Sequence, residues 1–217
     1  MEIVLLIVIL IFSVIVHEIS HGYVALWLGD TTAKDAGRLT LNPLKHIDPV
    51  GSIFLPLILA LVGGPIFGWA KPVPYNPYNL RDPQKGGGLI GAAGPVSNLL
   101  LATVFGLFAR ILVVFEPFSA QMPLLFIFGM IAYINVLLAI FNLLPVPPLD
   151  GSKVLFAVLP RGSDRWLRIL EQYGFLLLVL LIFTGVLSFL IPFVMSVLEL
   201  LMGRSAFGVF ITGFLGF

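Results

Sequence analysis

The sequence predicts an all-α polytopic membrane protein: four main transmembrane helices, one short re-entrant hydrophobic segment, and a small membrane-associated β element after the first helix. Three observations carry that expectation. Of the 217 residues, 59% are hydrophobic and only 11% charged, against about 25% charged in an ordinary soluble domain. The apolar residues gather in runs near the length of about 20 that a helix needs to cross a hydrocarbon core roughly 30 Å thick. The basic residues fall in the intervals between those runs.

The first span covers residues 3–28, where an uncharged stretch (3–16) passes directly into HEISHGYVALWL. It lacks a basic leading region and a small-residue cleavage site, so it is expected to stay in the mature protein. Residues 51–69 hold Pro56, Gly63, Gly64 and Pro65, which interrupt a run already short for spanning, and a re-entrant path is expected. The further spans are 89–115, 123–144 and 174–201, the last with Pro192 inside, hence kinked or in two pieces. The tail SAFGVFITGFLGF is apolar but short, and is expected to lie at the membrane boundary. The intervening loops, 29–50, 68–88 and 150–173, are too small for an independent soluble domain. A single membrane-embedded domain over 1–217 follows, with its core in about 1–155 and a C-terminal helix and tail in about 174–217. GRLTLNP (37–43) alternates like a short strand, which at membrane depth needs a paired edge.

Twelve Lys+Arg against eleven Asp+Glu leave a net charge of +1, no field for gathering nucleic acid, and that class is set aside. No cysteine is present. Thiolate metal sites and disulfides are therefore excluded, and any metal must use His, Asp or Glu.

A titratable residue inside a span costs at least about 2.5 kcal/mol and is a functional candidate by default. His17, Glu18 and His21 spell H-E-x-x-H. On a helix, imidazoles at i and i+4 share a face and grip one ion, while Glu18 stands beside it as a general base. Two imidazoles, one carboxylate and a water complete tetrahedral zinc. The bland alternative is a buried polar cluster that cements helices. For the remaining ligand, most acids lie in loops or near helix ends, Asp30 among them, where water solvates them. Asp150 follows the break NLLPVPPLDG, tolerated at depth only when buried or lining a wet cavity. It is the best-placed carboxylate; its alternative is a turn-forming Asp before Gly151.

Charge placement supplies an independent argument. Loops 29–50, 68–88 and 150–173 carry Lys and Arg, whereas residues 116–122 carry none. The positive-inside rule puts those three loops in the cytoplasm, which requires 51–69 not to cross. His21 and Asp150 then face the same side.

Three motifs, HEISH, GPVSN (94–98) and NLLPVPPLDG (142–151), occur in the order found in the site-2 proteases, intramembrane zinc metalloproteases. The chain resembles that family over roughly residues 1–155, and GRLTLNPLKHIDPVG and GWAKPVPYNPYNLRDP resemble its compact prokaryotic branch, without PDZ or CBS domains. The resemblance implies one zinc ion held by His17, His21 and Asp150, with Glu18 activating water. It implies that Asn98 helps hold the substrate strand or steadies the oxyanion; read from the residue alone, Asn98 equally bonds a neighbouring helix. Asn142 is expected to cap or satisfy the break before Pro145, and His46 to be a solvated interfacial imidazole outside the metal site.

The expected partners are a transmembrane protein substrate and the lipid bilayer, with a homo-oligomer left open. The expected location is a prokaryotic plasma membrane, the site toward the cytoplasm. The rival from another class is a zinc or proton transporter, which requires more intramembrane acids, ideally on several spans.

Overall fold

The computed structural model describes residues 2–63, 68–115, 122–160 and 164–215. Eight α-helices occur among them: α1 (Glu2–Trp27), α2 (Thr32–Asp35), α3 (Leu55–Leu61), α4 (Pro83–Phe115), α5 (Met122–Asn142), α6 (Asp150–Val158), α7 (Asp164–Phe183) and α8 (Leu190–Leu215). Four stretches of the described residues are long and apolar enough to cross a membrane: Ile3–Trp27, Pro83–Val114, Pro123–Asn142 and Val186–Phe214.

Packing sets their relative directions. At one end of the bundle Ile9 of α1, Ala109 of α4, Leu125 of α5 and Phe210 of α8 form a single buried cluster. Nearer the other end Ala102, Val136, Ile140 and Val194 form a second. Residue numbers in α1 and α5 therefore run opposite to those in α4 and α8. Small residues on α4 allow the neighbouring helices to approach closely, as expected where packing rather than water drives association. A Cβ on Gly88 would stand 2.2 Å from that of Ala157 on α6, and one on Gly94 would stand 2.5 Å from the His17 ring on α1.

The expected β element is not formed: no strand occurs among the described residues. In GRLTLNP the chain turns at Gly37 (φ 62°), and the Asn42 side chain accepts from Leu44 N to start a 3₁₀ turn, Pro43–Lys45. Pro43 also has no N–H to give to a ladder. The two loops are instead laced by isolated bonds: Lys71 N to His46 O at 2.9 Å and Trp69 N to Gly51 O at 3.1 Å, and Arg38 Nη2 to Lys71 O at 2.7 Å.

Residues 51–69, expected to dip and return, begin in a π-helical turn (Pro49–Phe54) that runs into α3. Pro49–Leu61 is apolar but shorter than a span. Residues 64–67 of that stretch lie outside the described residues.

The expected span 174–201 is also redrawn. The chain breaks at Gly185 (φ 71°), between α7 and a 3₁₀ turn, Val186–Phe189, that leads into α8. Pro192 sits in the first turn of α8, where a missing N–H costs no helical bond. The kink falls at Gly203 (φ 74°, ψ 155°). Residues 205–215 of the tail continue α8 instead of lying at a boundary, and 216–217 fall outside the described residues. Burial explains it: Phe210 is 1% exposed and fills the notch at Gly129, where a Cβ would stand 2.4 Å from its ring.

Candidate metal centre

The polar residues of the bundle collect at the end away from Phe210. His17 and His21, one turn apart on α1, are both buried, with ring centroids 4.7 Å apart. They lie six to ten residues before the end of α1, about 9 to 15 Å along the axis. Asp150 is the first residue of α6, delivered by the break after α5. Gly151 permits the tight return, since a Cβ there would stand 2.1 Å from Leu143 O. Asp150 Oδ2 is 3.0 Å from His17 Nε2 and 3.0 Å from His21 Nε2. The three residues are the one group of His, Cys, Asp or Glu among the described residues able to hold a metal ion, their donor atoms lying within 4.8 Å of one another.

Each histidine is oriented from behind. His21 Nδ1 donates to Ile90 O at 2.6 Å, and His17 Nδ1 meets Asn98 Oδ1 at 2.5 Å. In their neutral form both rings thus carry their proton on Nδ1 and turn the Nε2 lone pair toward the carboxylate. Two lone pairs and a carboxylate oxygen at 3.0 Å repel unless a cation lies between them. The donor set, two imidazoles and one carboxylate, fits a zinc ion.

Lys153 Nζ binds the other carboxylate oxygen, Asp150 Oδ1, at 2.9 Å. Burial opposes the charge on Lys153, but the adjacent carboxylate outweighs it and holds the ammonium above its ordinary range. Glu18 is half-buried, and its Oε2 accepts from Val73 N at 2.8 Å. Pro72 and Pro74 have no N–H, so this is the one backbone donor of residues 72–74.

Asn98, expected to help hold the substrate strand or steady the oxyanion, or else to bond a neighbouring helix, bonds Asn135 of α5. It is 0% exposed, its oxygen engaged by His17 and its Nδ2 by Asn135 Oδ1 at 2.7 Å, so it stands behind His17. Asn142 donates to Leu138 O within its own helix at 2.9 Å. His46, expected to be solvated, is buried and donates from Nε2 to Thr40 O at 2.9 Å, apart from the metal-capable group. Asp30, also expected in water, is 0% exposed. It accepts from Thr32 N (3.1 Å), Thr32 Oγ1 (2.5 Å), Asn76 N (2.7 Å) and Asn79 Nδ2 (2.7 Å). Sequence reasoning passed over Ser13, Asn135, Lys153 and Val73. The signal available for the first two was a polar side chain inside an apolar span, with Ser13 one turn before His17.

Comparison with known proteins decides the family. YwhC of Bacillus subtilis, which carries a zinc-metalloprotease name, is 41% identical over 192 residues, 86% of this chain and 83% of YwhC. The chain belongs to peptidase family M50, the site-2 proteases. The profile of that family matches residues 109–181. Rip2 of Mycolicibacterium smegmatis, similarly named, is 32% identical over 181 residues, 82% of this chain and 66% of Rip2. A third relative with such a name, MJ0611 of Methanocaldococcus jannaschii, is 39% identical over 103 residues, 46% of this chain and 50% of its own. No solved structure matches. This M50 peptidase is an intramembrane zinc metalloprotease, and the transporter alternative is not favoured. One metal-capable cluster among the described residues also falls short of the several acid-bearing spans that transport would need.

Proposed function

We propose that His17, His21 and Asp150 hold the single zinc ion and that Glu18 is the general base for hydrolysis of peptide bonds in or near transmembrane segments of other membrane proteins. One observation carries this: the Nε2 atoms of His17 and His21 each lie 3.0 Å from Asp150 Oδ2, while both Nδ1 atoms are engaged from behind. When bound, zinc supplies Lewis-acid polarisation of the scissile carbonyl and makes water more acidic at neutral pH.

The rest belongs to the chain. Glu18 takes the proton of the attacking water and returns it to the leaving amine. Val73 N–H holds that carboxylate in place between turnovers. Lys153 occupies Asp150 Oδ1, which leaves Oδ2 as the ligand atom. A substrate helix has its carbonyls paired along its own axis, so it must unwind locally before attack.

The path of residues 51–69 bears on where the site opens. Trp69 N bonds Gly51 O at 3.1 Å, and a Cβ on Gly51 would stand 2.2 Å from the Trp69 indole. The two ends of the segment thus meet, which supports entry and exit on one face. With the basic loops on that face, the site opens to the cytoplasm of a prokaryotic cell.

Glu18→Gln in proteoliposomes with a single-span substrate tests the reading. Expected are full zinc content and a loss of cleavage of about 10²- to 10⁴-fold. Undiminished cleavage removes Glu18 as base. Cysteine placed at position 78 tests the topology: labelling from the cytoplasmic side alone is expected, and labelling from outside overturns the re-entrant path.

A further inference from the structure

Asn135 lies in the middle of α5 and is 0% exposed, yet it is not itself one of the metal-capable residues. Its Nδ2 donates to Ile131 O at 2.8 Å and to Ser13 Oγ at 2.9 Å. A carbonyl only accepts, so the nitrogen of this amide is fixed on that side and Oδ1 faces Asn98. Asn98 Nδ2 donates to that Oδ1 at 2.7 Å and lies 3.5 Å from Ser13 O. With its nitrogen committed there, Asn98 has only Oδ1 to offer His17 Nδ1.

We propose that Asn135 is a positioning residue for the metal centre. It transmits the polarity of the Ile131 carbonyl through two amides to set the His17 tautomer that leaves Nε2 free for zinc.

The physical reason is the near symmetry of an amide. Asn98 turned by 180° has almost the same shape but presents N–H to His17 Nδ1, and the ring then carries its proton on Nε2, where the cation belongs. Nothing in the Asn98 side chain itself prevents the turn. The partner on α5 does, because an acceptor at Asn135 Oδ1, 2.7 Å away, matches only one of the two orientations, and the longer 3.5 Å contact to Ser13 O favours the same one.

The inference rests on His17 being a ligand, and it separates from a merely structural role because it depends on the chemistry at position 98. An aspartate there has two acceptors and no wrong orientation, so it does not need Asn135; it even faces Asn135 Oδ1 unfavourably. The test measures zinc affinity by chelator competition and the visible absorption of the cobalt form, with thermal stability in parallel. Asn135→Leu is expected to weaken zinc binding by about 10- to 100-fold, the range for partners behind a ligand, and to disturb the cobalt spectrum. Asn98→Asp is expected to retain zinc. In the Asn98→Asp background, adding Asn135→Leu is expected to cost no affinity or to raise it. An equal loss in both backgrounds, or no loss on Asn135→Leu alone, overturns the proposal.

Should Asn135→Leu fail to fold, Asn135→Asp carries the test. In its protonated form it donates to Ile131 O and still accepts from Asn98, so near-wild-type affinity is expected; a 10-fold or greater loss in folded protein overturns the proposal. His17→Ala serves as the control. Zinc binding as tight as wild type in that variant fells the ligand assignment beneath the inference, and does so whatever Asn135→Leu shows.

Discussion

Asp30 and Asp150 are both buried carboxylates, 0% and 6% exposed, and they have opposite surroundings. Around Asp30 every neighbour is a donor: two backbone N–H groups, a hydroxyl and an amide. The negative charge is satisfied by the protein, and its effect is to tie the turn after α1 to the second loop. Around Asp150, one oxygen has Lys153 and the other faces two imidazole lone pairs. That oxygen is held where the protein alone leaves it wanting a cation. A buried carboxylate is thus functional or structural according to what its neighbours leave undone, not according to its burial.

The largest expected effect breaks the comparison at its functional side. Asp150→Asn should strip zinc from folded protein by more than the 10- to 100-fold typical of a residue behind a ligand, as read by elemental analysis. Undiminished zinc content would remove Asp150 from the ligand set.

Asp30→Ala probes the structural side. It leaves four donors unmatched in a buried turn and should destabilise the fold by about 2 to 4 kcal/mol, measured by thermal unfolding in detergent. Zinc per folded molecule should stay at the wild-type level. Loss of zinc from folded Asp30→Ala protein would erase the distinction between the two carboxylates.

Acidification sharpens the same contrast. Burial raises the Asp30 carboxyl, but the bonds from Thr32, Asn76 and Asn79 outweigh it and hold the group below the ordinary carboxylate range. Its stabilisation is therefore fully present above the unfolded value, near 3.9, and is lost as pH falls through the lower folded value. Unfolding temperature against pH should show an acid decline that Asp30→Asn flattens. A decline of unchanged size in that variant would assign the acid sensitivity to other groups.

The smallest effect is expected at Asn142, whose amide donates only to Leu138 O in its own helix. Asn142→Ala should change stability by about 0.5 kcal/mol or less and leave zinc content untouched. A tenfold loss of zinc would show that the break after α5 needs this side chain to deliver Asp150.

Much of the site was legible in the residues because its signals are local or strongly penalised. HEISH is one turn of helix, and an apolar run around it makes an idle histidine pair expensive. Asp150 became legible through two unrelated constraints, a proline break needing shelter and basic loops needing one face. Asp30 was not legible, since its four donors come from three separate positions that no local pattern links. The same holds for His46, read as solvated and found buried against Thr40. GRLTLNP has the alternation of a strand, but alternation marks only a two-sided surface; Pro43 and the Asn42 cap decided the backbone. For the last span, Pro192 looked like the break from sequence, yet a proline in a first helical turn is harmless, and the break moved to Gly185.

The sequence by itself determined the membrane class and singled out the proposed ligand trio and base, because hydropathy and helical spacing act over a few residues and lipid raises the cost of any misplaced charge. Tertiary structure alone decided which way each ligand points. The Nε2 atoms face Asp150 because the Ile90 carbonyl and the Asn98 amide, both on α4, take the Nδ1 protons from the other side, with Asn135 of α5 behind Asn98, and that orientation exists only once three helices have packed.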